Sequence, residues 1–64
     1  MSEYLIGPQD IGGRIDKFVS EREGISREYA KKLIERGYIT LNGAPTKPSR
    51  KLREGDRVKV EIPP

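Results

Sequence analysis

Apolar residues in this chain of 64 recur at two different spacings, and each spacing predicts its own kind of element. Ile15, Phe18 and Val19 fall at the i, i+3, i+4 positions of one helical face. Gly12-Gly13 precedes them and Gly24, a residue suited to end a helix, follows, so a first helix is expected over about residues 14–22. Ala30, Leu33 and Ile34 repeat the pattern. Ahead of them Ser26 can accept a hydrogen bond from an exposed backbone N–H, and Glu28 lies near the positive end of the helix dipole. Gly37 tolerates the left-handed conformation that ends a helix just past Arg36.

The second spacing is two. Val58, Val60 and Ile62 alternate with Arg57, Lys59 and Glu61, which predicts a closing strand with its charged residues outward. Tyr38-Ile39-Thr40-Leu41 is β-prone and runs into Asn42-Gly43, a pair tolerant of positive φ at both positions, so a hairpin or tight reversal follows the second helix. Tyr4 and Ile6 alternate around Leu5 before Gly7-Pro8, as in a short edge strand. Pro45 and Pro48 make the later stretch irregular, and Glu54-Gly55-Asp56 turns the chain. The expected fold class is α+β, with two consecutive helices packed on a small, mostly antiparallel β-sheet. The expected organisation is one domain over 1–64, with a core over 13–62, a strand-like lead-in over 1–12 and Pro63-Pro64 as a linker edge.

Composition narrows what such a domain can do. There is no cysteine and no histidine, so thiolate and imidazole metal ligands and the usual general bases are missing, and no cofactor or metal is expected. A chain this short hides only about 60% of its unfolded surface and leaves no room for a buried multi-residue catalytic cleft. No apolar run approaches a membrane span, and Met-Ser-Glu-Tyr lacks the basic and apolar regions of a signal peptide. The expectation is a cytoplasmic monomer with no membrane partner.

The net charge of +3 is shared unevenly. Residues 1–25 hold three basic and five acidic side chains, residues 26–53 eight and two, and residues 54–64 two and three. The segments therefore carry −2, +6 and −1, and a basic centre between acidic flanks suits a polyanion-binding face. On the second helix Arg27 and Lys31 lie together at one border of the apolar stripe, while Lys32 and Arg36 form another ridge. Arg27 sits in the first turn, where a cation opposes the dipole, so an anion outside the protein is the expected reason for its position. Exposed backbone N–H groups there can help hold a phosphate.

Lys47, Arg50, Lys51 and Arg53 form a second cluster, with no acid between Thr40 and Arg53. If that loop folds beside the start of the second helix, the two clusters make one groove able to follow a phosphate backbone. The plainer alternative is a solvated surface whose i, i+4 pairs each contribute at most about 0.5 kcal/mol. Aromatic residues are limited to Tyr4, Phe18, Tyr29 and Tyr38, too few for a platform that stacks successive bases. Tyr29 and Tyr38 are read as half-buried packing residues.

Taken jointly, Gly13-Arg14-Ile15-Asp16-Lys17-Phe18, the spacing SR-x-x-A-x-x-L-I-x-x-G from Ser26 to Gly37, Ile39, Asn42-Gly43 and Gly55-Asp56 resemble the alpha-L RNA-binding motif. This is the domain named after ribosomal small-subunit protein S-four, and the resemblance spans about residues 13–62. It implies that Arg14, Ser26, Arg27, Lys31, Lys47, Arg50 and Lys51 lie near RNA, with Lys17, Lys32 and Arg36 as outer candidates. The lead-in from Tyr4 to Ile6 and the ending Val-Glu-Ile-Pro-Pro look most like the N-terminal domain of large-subunit-type ribosomal RNA pseudouridine synthases. The resemblance thus implies a structured RNA partner, ribosomal RNA, and a module that targets an isomerase in rRNA processing.

Such a catalytic domain would follow Pro64, and no catalytic residue is expected in the chain itself. Arg14-Ile15-Asp16 looks like the Arg-Leu-Asp setting of the synthases' nucleophile, but Asp16 falls at a helix start with no pocket for a flipped uridine, where the dipole stabilises a carboxylate. The alternatives are a stand-alone ribosome-associated protein of the same fold, acting in assembly or rescue, and a protein–protein docking domain. The last would call for an exposed apolar or aromatic patch that the pattern does not contain.

Overall fold

A computed structural model describes residues 2–64. The elements in chain order are β1 (Ser2–Leu5), a short 3₁₀ turn (Pro8–Asp10), α1 (Ile15–Glu23), α2 (Arg27–Glu35), β2 (Ile39–Leu41) and β3 (Arg57–Val60). The helices start and stop where local chemistry requires. Gly24 takes φ 68° and its N–H reaches the Ser20 carbonyl, closing α1. The Ser26 hydroxyl accepts from the Tyr29 N–H at 3.1 Å, capping α2. At the other end Gly37 takes φ 84°, and its N–H and that of Tyr38 bond back to the carbonyls of Ile34 and Leu33. Those two bonds satisfy carbonyls that a helix end otherwise leaves without partners.

The sheet is antiparallel throughout, in the order β1-β3-β2. Val58 pairs with Tyr4 on one side and Leu41 on the other, and Val60 pairs with Ser2 and Ile39. The alternation sends Val58, Val60, Ile39 and Leu41 to one face, where Ile15, Phe18 and Val19 of α1 and Ala30, Leu33 and Ile34 of α2 cover them. Ile6 and Leu52, which lie outside the strands, complete the core. The two helices on a small antiparallel sheet match the expected fold class.

Three details differ from the expected elements. The first strand is Ser2–Leu5 rather than 4–6; Ile6 has left the pairing register, yet it is buried and its N–H bonds the Asp56 carbonyl. Ile62 lies beyond β3 and is 37% exposed. Pairing with β2 begins at Ile39 opposite Val60, and after the Glu61 N–H bonds the Tyr38 carbonyl the neighbouring chain has already turned into the end of α2. Thirdly, of the hairpin or tight reversal expected at Asn42-Gly43 the structure has the reversal, with φ 53° and 79°, and no strand follows directly to pair with β2. The reversal closes on a Leu41–Ala44 bridge, and β2 takes β3 as its partner.

Between those two strands the chain makes an excursion whose ends are locked by Asn42 and Asp56. The Asn42 amide donates to an Asp56 oxygen at 3.0 Å and accepts from the Arg57 N–H at 2.9 Å. The other Asp56 oxygen accepts from the Arg53 N–H at 2.9 Å. The Asn42 hydrogen bond holds the Asp56 carboxyl below its ordinary range; burial opposes this, and the Arg53 N–H with the charges of Arg50 and Arg53 reinforces it.

Replacing Asn42 by Ala removes a partner from this buried carboxylate, which costs about 1–3 kcal/mol. A urea titration of Asn42→Ala should show that loss as a lower midpoint with an unchanged slope. An unchanged midpoint would mean that the Asn42–Asp56 contact does not close the excursion.

Candidate nucleic-acid interface

Asp16 is fully buried at the first turn of α1, and the basic residues singled out in the sequence are organised around it. One carboxylate oxygen accepts from the Lys17 N–H at 2.7 Å and from Arg14 Nε at 3.2 Å. The other is 2.9 Å from one Arg14 terminal nitrogen and 3.5 Å from one of Arg27. Both guanidinium groups reach inward to the same anion while 43% of the Arg14 side chain and 47% of the Arg27 side chain face solvent. A planar fork held on one side by a carboxylate keeps its remaining donors for an outside acceptor.

The loop cluster is fastened to the same place by backbone bonds. The Ile15 N–H donates to the Arg50 carbonyl at 2.9 Å, the Asp16 N–H to the Pro48 carbonyl at 3.3 Å, and the Leu52 N–H to the Gly13 carbonyl at 2.9 Å. Arg14 and Lys51 thereby form an antiparallel bridge. Because the flanking residues make the hydrogen bonds, 14 and 51 are the close, non-hydrogen-bonded kind of pair, whose side chains stand side by side on one face. Pro48 has no N–H to leave unpaired, and its fixed backbone presents the carbonyl that Asp16 needs. The loop thus folds beside the start of α1, and Asp16 links that point to the start of α2 through Arg27.

The remaining candidates occupy definite places. Lys31 lies one turn beyond Arg27 and is half-buried, so the two share a face of α2. Lys47 precedes the Pro48 carbonyl, and its own carbonyl accepts from the Arg50 N–H at 3.0 Å. Arg50 donates from Nε to the Lys51 carbonyl at 3.2 Å, so part of its fork is spent inside the loop. The Ser26 oxygen is used as a cap, which leaves its hydroxyl hydrogen to donate outward. Lys17 stands beside Arg14 on α1, whereas Lys32 lies about 100° round α2 from Lys31, and Arg36 caps that helix's far end. Tyr29 and Tyr38 are 38% and 40% exposed, each half in contact with the fold.

Two expectations change. Arg27 has an anion inside the protein, Asp16, so its unfavourable place against the helix dipole is compensated from within and does not require an external one. Asp16 itself is more than a carboxylate near a dipole; it is the hub of the site. Its place next to Val19 on the helical wheel, at the border of the buried stripe, was the available signal. The amides at the start of α1 are consumed by the loop carbonyls and by Asp16, so that helix end offers no donors to a ligand.

Burial alone pushes the Asp16 carboxyl up, but the Arg14 hydrogen bond, the Lys17 N–H and the charges of Arg14 and Arg27 together outweigh it and hold the group below its ordinary range. A depressed folded-state pKa means that this stabilisation is complete above the unfolded value of about 3.9 and is lost as pH falls through the folded value. Melting temperature should therefore stay level from neutral pH to about 5 and fall below about 4. Asp16→Asn should be less stable at neutral pH by about 1.5–3 kcal/mol, the contribution of hydrogen bonds to a charged group, and should lose less on acidification. A variant with the acid sensitivity of the parent would remove Asp16 as its source.

Residues 13–58 match the family model for the S4 domain, a span that contains both helices, Asp16, the three residues that bond its carboxylate and the loop cluster. Over 52 residues the chain is 48% identical to a protein of Aquifex aeolicus (strain VF5) named as an uncharacterized RNA pseudouridine synthase. That match covers 78% of this chain and 16% of the relative, so the chain spans a small fraction of the length of the protein it resembles. Among the described residues no helix is long and apolar enough to cross a membrane. With the family match extending over most of its length and the architecture as described, the chain belongs to the S4 domain family.

Proposed function

We propose that this domain binds the phosphate backbone of a folded RNA, that the RNA is ribosomal, and that its role is to position a pseudouridine synthase whose catalytic domain lies outside this chain. The observation that carries the proposal is the gathering of Arg14 and Arg27 at one buried carboxylate, with Lys51 paired beside Arg14 and Lys31, Lys47 and Arg50 on the adjoining helix and loop. Cations presented from three segments on a fixed frame suit the regular phosphates of a duplex or hairpin stem. The synthase named among the relatives supports the choice of activity. Asp16, the one acid in an Arg-x-Asp setting, is buried with both oxygens engaged, which leaves it no route to a base.

Titration of a ribosomal RNA hairpin at several salt concentrations should give an affinity that falls steeply as salt rises. Lys31→Ala, Lys47→Ala and Lys51→Ala should each weaken binding and lower the log–log salt slope by roughly one. Stability should move by less than about 0.5 kcal/mol, because among the described residues these ammonium groups form no hydrogen bond or ion pair. Salt-insensitive or absent binding would sink the proposal.

Asp16→Asn separates a positioned set of cations from mere positive charge. It raises the net charge from +3 to +4, so a purely electrostatic surface would bind more tightly. Losing the anion that holds both forks should instead weaken binding, while Glu28→Gln, with the same change in charge on the exposed side of α2, should leave affinity equal or higher. Tighter binding by a folded Asp16→Asn variant would show that the arginines need no positioning.

A further inference from the structure

The face of α1 that carries Arg14, Lys17, Phe18 and Glu21 lies across from the segment Gln9–Gly13, and between them is an open cleft of about 200 Å³. Its walls are mixed in a way that plain surface is not. Ile11 is 54% exposed, and its backbone is tied at both sides: its N–H is 3.5 Å from the Pro8 carbonyl oxygen, and the N–H of the next residue, Gly12, bonds the Leu52 carbonyl at 2.9 Å. Phe18 borders the cleft from the other side. The Arg22 guanidinium sits 4.8 Å from its ring centre, Tyr4 meets it at 86° with centroids 5.5 Å apart, and the residue as a whole is 7% exposed.

The polar groups divide by sign. Arg14 and Lys17 line the cleft, and Arg14 belongs equally to the Asp16 centre and to the Lys51 pair. A backbone phosphate held at Arg14 and Lys51 would leave its own nucleotide within reach of the cleft. Asp10 and Glu21 line it as well, and carboxylates repel phosphate but accept hydrogen bonds from the N–H groups of a base edge. Asp10 is partly engaged by Arg22 at 3.5 Å, whereas Glu21 is exposed and forms no ion pair among the described residues. Gln9 adds one amide that can both donate and accept.

We infer that this cleft takes one unstacked nucleobase of the bound RNA, lodged between Ile11 and the rim of Phe18, with guanine preferred. Guanine presents two adjacent donors on its Watson–Crick edge, which one carboxylate can accept together, and Glu21 is the carboxylate free to do so. This rests on the RNA-binding role proposed above and adds to it a source of sequence preference, which phosphate contacts alone do not supply. Single-stranded positions such as bulges are where bases are available for such contacts.

The test uses three hairpins with the same stem and a single bulged position that is guanine, uracil or abasic. The guanine hairpin should bind about fivefold or more tighter than the abasic one, the effect of burying roughly 40 Å² of apolar surface against Ile11. Ile11→Ala should bring that preference close to one, and Glu21→Gln should remove the advantage of guanine over uracil. Ile11→Ala should not alter affinity for the abasic hairpin, Glu21→Gln, which removes a negative charge, should leave it equal or higher, and because both side chains are exposed, melting should be unchanged. Equal affinity for guanine and abasic hairpins with the salt dependence intact would overturn the base site while leaving backbone binding in place. A guanine preference that survives Ile11→Ala would overturn it too, and failure to bind any of the three would remove both proposals.

Discussion

A carboxylate withdrawn from water must be surrounded by donors, and the way Asp16 meets that demand sets the arrangement of its neighbourhood. Its partners come from the turn before α1, from α1 itself and from the first residue of α2. Residues 14–17 supply three of the four contacts, and Arg27 adds the fourth at 3.5 Å. The same anion therefore links two helices, and the bonds from Ile15 and Asp16 to the loop carbonyls bring in a third segment. The apolar core beneath specifies which faces meet, and Asp16 specifies where along those faces the helix starts come together.

The same demand makes the arginines useful. A long side chain loses about 2 kcal/mol of rotamer freedom when it is fixed, and a ligand that has to impose the order carries that cost. Here the order is imposed by folding: Arg14 and Arg27 are oriented from below, and Lys51 stands beside Arg14 because backbone pairing puts it there. A surface assembled this way is selective for the spacing of anions it meets, whereas the same charges on free side chains would respond chiefly to their number.

Local features are legible in the sequence and distant ones are not. Ser26 and Gly37 mark the ends of α2 because a cap and a left-handed residue act within one turn, and the structure adds only the two bonds that close the end at Ile34 and Leu33. Asn42-Gly43 announces its positive φ angles for the same reason. The partner of β2 is not readable, since the strand could pair with the next segment or with a later one, and the outcome depends on the Asn42–Asp56 lock across the excursion. The basic loop is visible as a charge run and its purpose can be framed, but its attachment to α1 rests on carbonyls of Pro48 and Arg50 that carry no pattern. Asp16 can be placed from the sequence at a helix start and at the border of the apolar stripe, but the Arg27 partner that makes it a hub comes from another helix and leaves no local pattern. Ile62 continues a period of two past the point where the neighbouring backbone runs out.

The strand order β1-β3-β2 has a consequence for how such a chain is made. Neither of the first two strands pairs with the other, and both wait for the strand that leaves the ribosome last of the three. The helical pair is built from neighbouring residues, while β1 and β2 have no pairing partner until Arg57–Val60 emerges to lie between them. The third strand is then a keystone in time as well as in space, and the cation-bearing loop, which is strung between it and the earlier part of the chain, reaches its working position only at that step.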